Sequence, residues 1–233
     1  MSKHILIMGG IWNTDGLLRN VYNCKTTLFT ETDQVCSGLE NYYDRIITFP
    51  KGSPIEDWLE MAKVVHKQDK IDRIGNYGFY FQDKGVAIAE ELKLPIFNGA
   101  QAVKCADDKL YMREVLRDKG LDPCASELVK SEAQLMAFAE KYNYPVIIKP
   151  KEGVASRGIF RINNDKELKF SYAQFRTDYP DFDIIVEEFL VGPEFSIETY
   201  SENGKHRVIT ITEKFKDEKS FVELGHLIPA RIP

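Results

Sequence analysis

The run Ile5-Leu6-Ile7-Met8, stopped by Gly9-Gly10, narrows most what this chain can fold into. A continuous apolar run closed by glycines reads as a strand buried on both faces, as in a parallel sheet covered by helices. The residues that follow keep that grammar. Thr26 to Thr30 and Arg45 to Phe49 read as strands, and Ile55 to His66 has helical spacing through Ile55, Leu59, Ala62 and Val65. Ile71 to Ile74 is a short strand, Gly85 to Leu92 is helical, and Leu94 to Phe97 is a strand after it. Strands alternating with helices predict an α/β fold with a parallel sheet, and ligands on such sheets sit at the carboxyl ends of the strands. That edge includes the Gly9-Gly10 turn and the Gly75-Asn76-Tyr77-Gly78 segment.

A second unit is expected from near Asn98. Asp107 is placed as the cap of a helix running to Lys119, with Gly120 as its left-handed stop. Ser131 with Gln134, and Asn164 with Glu167, are capping boxes for two further helices. Pro145 to Lys149 and Gly158 to Ile162 read as strands. From Asp183 the pattern turns antiparallel: Ile184 to Val186, Phe195 to Tyr200 and Arg207 to Thr212 are strands, the last two joined through Asn203-Gly204, a hairpin signal.

Composition sets limits on partners. The 31 Lys and Arg against 36 Asp and Glu leave a net charge of -5, so no general attraction for nucleic acid or an anionic membrane is expected. An anionic ligand must be caught by local cations and backbone amides. The four cysteines form no Cys-x-x-Cys pair, which argues against a zinc site or a disulfide framework. The N-terminal apolar run is too short for a signal peptide or membrane helix, and a cytoplasmic protein is expected.

Three segments carry the chemistry. The first is Asp107-Asp108-Lys109 at a helix start. The second is Pro145 to Phe160, where Lys149 closes an apolar strand and Gly153-Val154-Ala155-Ser156-Arg157-Gly158 follows. A lysine on such a strand calls for an anionic partner, and a small glycine-flanked loop brings backbone N–H groups close to phosphate oxygens. By itself this segment is equally compatible with an ordinary hairpin and a surface lysine. The third is Ile184 to Tyr200, where strand alternation sends Glu187 and Glu188 to opposite faces and Glu194 opens the next strand after Gly192-Pro193. Carboxylates so placed can accept from an exocyclic amine and from neighbouring hydroxyls, though two solvated carboxylates at strand ends fit as well.

In this order the three segments resemble the ATP-grasp superfamily, in its amino-acid ligase and carbamoyl-phosphate-synthetase-like (biotin carboxylase-like) branch. Glu187 to Ser196 resembles the adenine hinge of D-alanine–D-alanine ligases, Pro145 to Gly158 the lysine strand and phosphate loop, and Leu94 to Lys109 the entry from a Rossmann-like domain. The resemblance implies a Rossmann-like domain over residues 1–98, an ATP-grasp lid over 99–183 and the start of a larger α+β subdomain over 184–233. It implies ATP as ligand: Lys109 and Lys149 at the phosphates, Glu187 at the adenine amine, Phe189 and Leu190 at the ring edge, and Glu194 at the ribose. Ser156, Arg157 and Gly158 would close over the phosphates, Lys214 would reach the γ-phosphate, and His226, in Phe221 to Pro229, would lie on the substrate side. The implied activity is a ligase that activates a carboxylate as an acyl phosphate for attack by an amine, on an amino acid or similar small carboxylate. A homodimer is compatible with it.

The family holds Mg²⁺ with an acidic residue and then a Glu-x-Asn pair, and no Glu-x-Asn follows the hinge before Arg231-Ile232-Pro233. The Mg²⁺ ligands are therefore expected beyond Pro233: the chain is a fragment, is naturally short, or is completed by a second polypeptide. Asn76 also stands where some relatives carry an acidic residue. The alternatives are a non-catalytic ATP-binding module and, from Gly9-Gly10, a Rossmann dehydrogenase, which lacks the full Gly-x-Gly-x-x-Gly pattern.

Overall fold

A computed structural model describes residues 2–10, 12–77, 80–95, 98–152, 157–217 and 220–232, with backbone only at 12–14. The chain divides into two compact units, Met1–Ala106 and Asp107–Pro233.

In the first unit, β1 (His4–Met8), β2 (Lys25–Glu31), β3 (Arg45–Phe49) and β4 (Arg73–Gly75) pair in parallel, in the order β3-β2-β1-β4. Helices α1 (Trp12–Asn20), α2 (Ile55–Gln68), α3 (Gln82–Glu91) and α4 (Ala100–Asp107) complete it. The unbroken apolar run of β1 has the expected cause. Leu6 and Met8 face a core with Phe29, Trp58 of α2 and Ile88 of α3, while Ile5 and Ile7 face a second core with Leu28, Leu39 and Tyr43. Fully burying each such side chain contributes about 1.5–3 kcal/mol.

Two strands differ from expectation. The segment expected as a strand from Ile71 pairs only from Arg73, because Ile71 is buried in the core and donates its N–H to His66 Nδ1. Leu94 and Pro95 are not in a strand: the Leu94 N–H closes the end of α3 on the Ala89 carbonyl, and Ile96 and Phe97 lie outside the described residues.

The second unit carries two antiparallel sheets. One is four-stranded, β5 (Ser126–Val129), β6 (Val146–Pro150), β7 (Phe160–Ile162) and β8 (Ile184–Glu188) in the order β5-β8-β6-β7. Antiparallel pairing thus begins well before Asp183, where the sequence placed it. Three helices belong to this unit: α5 (Lys109–Asp118), α6 (Glu132–Tyr142) and α7 (Asp165–Asp178). The second sheet is β9 (Glu194–Glu202), β10 (Lys205–Lys216) and β11 (Glu223–Leu227), in the order β11-β10-β9. Asn203 and Gly204 at the β9–β10 turn both have positive φ, as that tight turn requires.

The caps follow the sequence with one correction. Ser131 accepts from Gln134 N–H and Asn164 from Glu167 N–H. The cap of α5 is Asp108, which accepts from Tyr111 N–H; Asp107 is instead the last residue of α4. Among the described residues no helix is long and apolar enough to cross a membrane.

Candidate functional site

The four-stranded sheet has two unlike faces. Val129, Val146, Ile148, Ile162, Ile184 and Val186 pack against α6 and α7. Alternation sends the intervening residues to the other face. There Ser126 pairs with Glu187, and Glu187 with Ile147, so Lys149 lies diagonally across from Glu187 on that same surface.

Glu187 is buried at 2% exposure, which demands compensation. Lys149 Nζ donates to its Oε2 at 2.7 Å. Arg113 Nε donates to Oε1 and Arg113 Nη2 to Oε2, both at 3.0 Å, and Arg113 Nη1 donates to Asp122 at 2.5 Å. Burial pushes the Glu187 carboxyl up, but the hydrogen bond from Arg113 and the charge of Lys149 more than reverse this and hold it below the usual carboxylate range.

Helix α5 supplies the cations. Lys109, Arg113 and Arg117 recur every fourth residue, hence on one helix face. Arg117 donates to the Ser126 hydroxyl at 2.8 Å, and the Lys109 N–H donates to the Lys151 carbonyl at 3.1 Å, tying the start of α5 to the end of β6. Burial first, and the neighbouring charge of Lys149 second, lower the pKa of Lys109, while Glu187 works the other way. Two lysines thus crowd one carboxylate that is already shared with an arginine. Glu152 and Asp108 also act on Lys109.

The three-stranded sheet gathers the remaining expected residues. Register pairs Lys214 with Glu194 on one side and with His226 on the other, a row across three strands. Lys214 Nζ lies 2.8 Å from Glu194 and 2.5 Å from Glu223, and His226 Nε2 lies 3.2 Å from Glu223. Lys216 also pairs with Glu194. Hydrogen bonds from Lys214 and Lys216 hold Glu194 below its ordinary pKa, and those to Glu194 and Glu223 raise that of Lys214.

Phe189 and Leu190 lie in the connection from β8 to β9. The Phe189 N–H is committed to the Pro145 carbonyl, and the Leu190 side chain is exposed. The Phe189 ring is covered by the Arg161 guanidinium at 4.4 Å and meets Phe221 at 6.0 Å, between β10 and β11. Arg157 is an exposed turn residue. Gly158 has φ +68°, and a side chain there would meet Pro150 and Tyr179 at 3.1 Å. Ser156 and most of its loop lie outside the described residues. Arg113 and Asp122 were not singled out by the sequence; the signal available was the four-residue spacing of cations on α5.

In the first unit the Gly9-Gly10 turn is closed, because a Cβ on Gly10 would overlap the Tyr43 hydroxyl, which donates to buried Asp15. Asn76 lines a cavity of about 60 Å³ with Ile74, Gly85, Val86 and Val103, and neither polar atom of its amide has a hydrogen-bond partner. Among the described residues no group of three or more His, Cys, Asp or Glu is placed to hold a metal ion.

Known proteins are similar to this chain in sequence and in fold. The family model described as an ATP-grasp domain matches residues 142–233. D-alanine–D-alanine ligase of Geobacter sulfurreducens is 26% identical over 185 residues, covering 77% of this chain and 55% of the relative. L-amino acid ligase from Bacillus licheniformis superposes with a TM-score of 0.80 at 23% identity, over 100% of this chain and 56% of that one. N5-carboxyaminoimidazole synthetase from Staphylococcus aureus, solved with ADP, gives a TM-score of 0.76 at 18% identity, over 100% and 60%. The chain therefore spans little more than half the length of these relatives. Residues 142–233 match the ATP-grasp domain family, and the whole chain shares its fold with solved ligases of that kind.

Proposed function

We propose that the second unit binds ATP and that the protein is an ATP-dependent carboxylate–amine ligase acting on an amino acid or similar small carboxylate. The observation that carries this is the buried ion pair of Lys149 with Glu187 on the sheet face opposite α6 and α7, with Lys109 at the start of α5 feeling the charge of both. Such a site offers cations to phosphates and an acceptor to a base amine. In this reading Lys109 and Lys149 hold phosphates, Glu187 takes the adenine amine, and Phe189 and Leu190 meet the ring edge. Glu194 takes the ribose, while Ser156, Arg157 and Gly158 cover the phosphates. Lys214 approaches the γ-phosphate and His226 the carboxylate substrate.

A carboxylate is a poor electrophile, and its activation by phosphoryl transfer needs cations where charge develops; Mg²⁺ would accompany ATP for that reason. A cytoplasmic location belongs to the same reading. So does a homodimer, the form in which the biotin carboxylase domain of Hydrogenobacter thermophilus 2-oxoglutarate carboxylase was solved.

The test has two parts. Calorimetric titration with ATP should give saturable binding that Lys149→Met weakens at least about tenfold, as loss of a charge-assisted contact implies. Phosphate release from ATP should then depend on one or more members of an amino-acid panel. Absence of binding, or binding indifferent to Lys149→Met, overturns the nucleotide site; binding without release for any carboxylate overturns the ligase.

A further inference from the structure

Arg113 reaches Glu187 from another element, helix α5. Two of its nitrogens donate at 3.0 Å to different oxygens of the carboxylate, a fork that sets the plane of the group. Its third nitrogen is anchored on Asp122, which itself accepts from Cys124 N–H at 2.9 Å. The ionisable groups facing Glu187 are Arg113 and Lys109 from α5, Lys149 from β6, and the Cys124 thiol ahead of β5. Three of these four are basic side chains, and Asp122 is turned onto Arg113. An ionised carboxylate accepts hydrogen bonds and donates none, whereas a protonated one can donate.

We propose that Arg113 is a positioning residue for base selection: by keeping Glu187 an acceptor only, it makes the site prefer a nucleobase with an exocyclic amine over one with a carbonyl at that position. This rests on the nucleotide site proposed above. A 6-amino purine donates to Glu187. A 6-oxo purine sets its carbonyl lone pairs against those of the carboxylate. Without Arg113, burial of Glu187 is opposed mainly by Lys149, and the balance moves toward the protonated carboxyl. It then donates to the carbonyl, and the preference is lost.

Inosine triphosphate is the probe, because it replaces the amine by a carbonyl and keeps the sugar and phosphates. Calorimetry on the full chain should show wild type preferring ATP over ITP by about tenfold or more, the scale of one hydrogen bond to a charged group. That ratio should be flat from about pH 5.5 to about pH 8, well above an ordinary carboxyl. In Arg113→Met it should fall to near unity at the acid end and recover as pH rises. Arg113→Lys, which keeps a cation, should retain it, and serves alone if Arg113→Met does not fold. Equal binding of ATP and ITP by wild type, an undiminished preference in Arg113→Met at every pH, or its loss in a folded Arg113→Lys overturns the role of Arg113. ATP binding that still depends on Lys149 would leave the nucleotide site standing; if neither nucleotide binds, both fall.

Discussion

Glu187→Gln removes one charge and leaves the shape of the side chain almost unchanged. Three donors converge on this carboxylate at 2.7, 3.0 and 3.0 Å, and it is 2% exposed, so solvent cannot replace it. Breaking a buried ion pair from one side costs about 3–5 kcal/mol, because the partner is left uncompensated. Arg113 keeps Asp122, which puts the expected loss near the lower end, about 3 kcal/mol. That corresponds to a fall in Tm of about 10 °C for a chain of this size. Both tryptophans, Trp12 and Trp58, lie in the first unit, so fluorescence would follow the wrong part. Hydrogen exchange of peptides covering β6, β8 and α5 is the suitable assay.

The pH dependence has a fixed sign. The folded carboxyl lies below its unfolded value, so its contribution is whole above about pH 4.3 and disappears as pH falls through the folded pKa. The gap between wild type and Glu187→Gln should therefore be constant near neutrality and close in acid. For contrast, Glu60→Gln breaks an exposed pair with Lys63, which keeps Glu91, and should leave stability essentially unchanged. A Glu187→Gln protein within about 1 kcal/mol of wild type would refute the claim that its charge is held by partners that depend on it.

Other substitutions probe the frame. Ser131→Ala and Asn164→Ala should each cost about 1 kcal/mol, measured by urea unfolding, by removing the caps of α6 and α7. Gly10→Ala has to place a methyl group onto the Tyr43 hydroxyl at φ +72°, and should cost more than about 2 kcal/mol in the same assay. Lys109 has a lowered pKa, so above neutrality the unfolded chain binds more protons and stability rises with pH through that window. Lys109→Met should flatten that rise.

Much of the frame was legible because its causes are local. The apolar run of β1, the two capping boxes and Asn203-Gly204 each carry their signal within a few residues. The errors have physical sources as well. Asp107 and Asp108 are adjacent and both suited to capping, and only the end of α4 decides between them. Glu223-Leu224-Gly225-His226-Leu227 has weak strand propensity and becomes β11 by pairing with β10. The candidate residues fall into two groups, Lys149 with Glu187 on one sheet and Glu194, Lys214 and His226 on the other. Their clustering follows from register. Arg113 escaped notice because 74 positions separate it from Glu187, and no local pattern reports a contact that only the fold creates.

The four-residue repeat of cations on α5 makes that helix a ruler with three marks: the crowded lysines, the carboxylate of Glu187 and the hydroxyl of Ser126. Inserting one residue midway along it would rotate everything beyond by about 100° and take the later marks off their targets together. An insertion in the Gly120-Leu121 turn, where Leu121 is exposed, would disturb none of them directly. Length variation tolerated in the turn and purged from the helix is the expected evolutionary signature of that geometry.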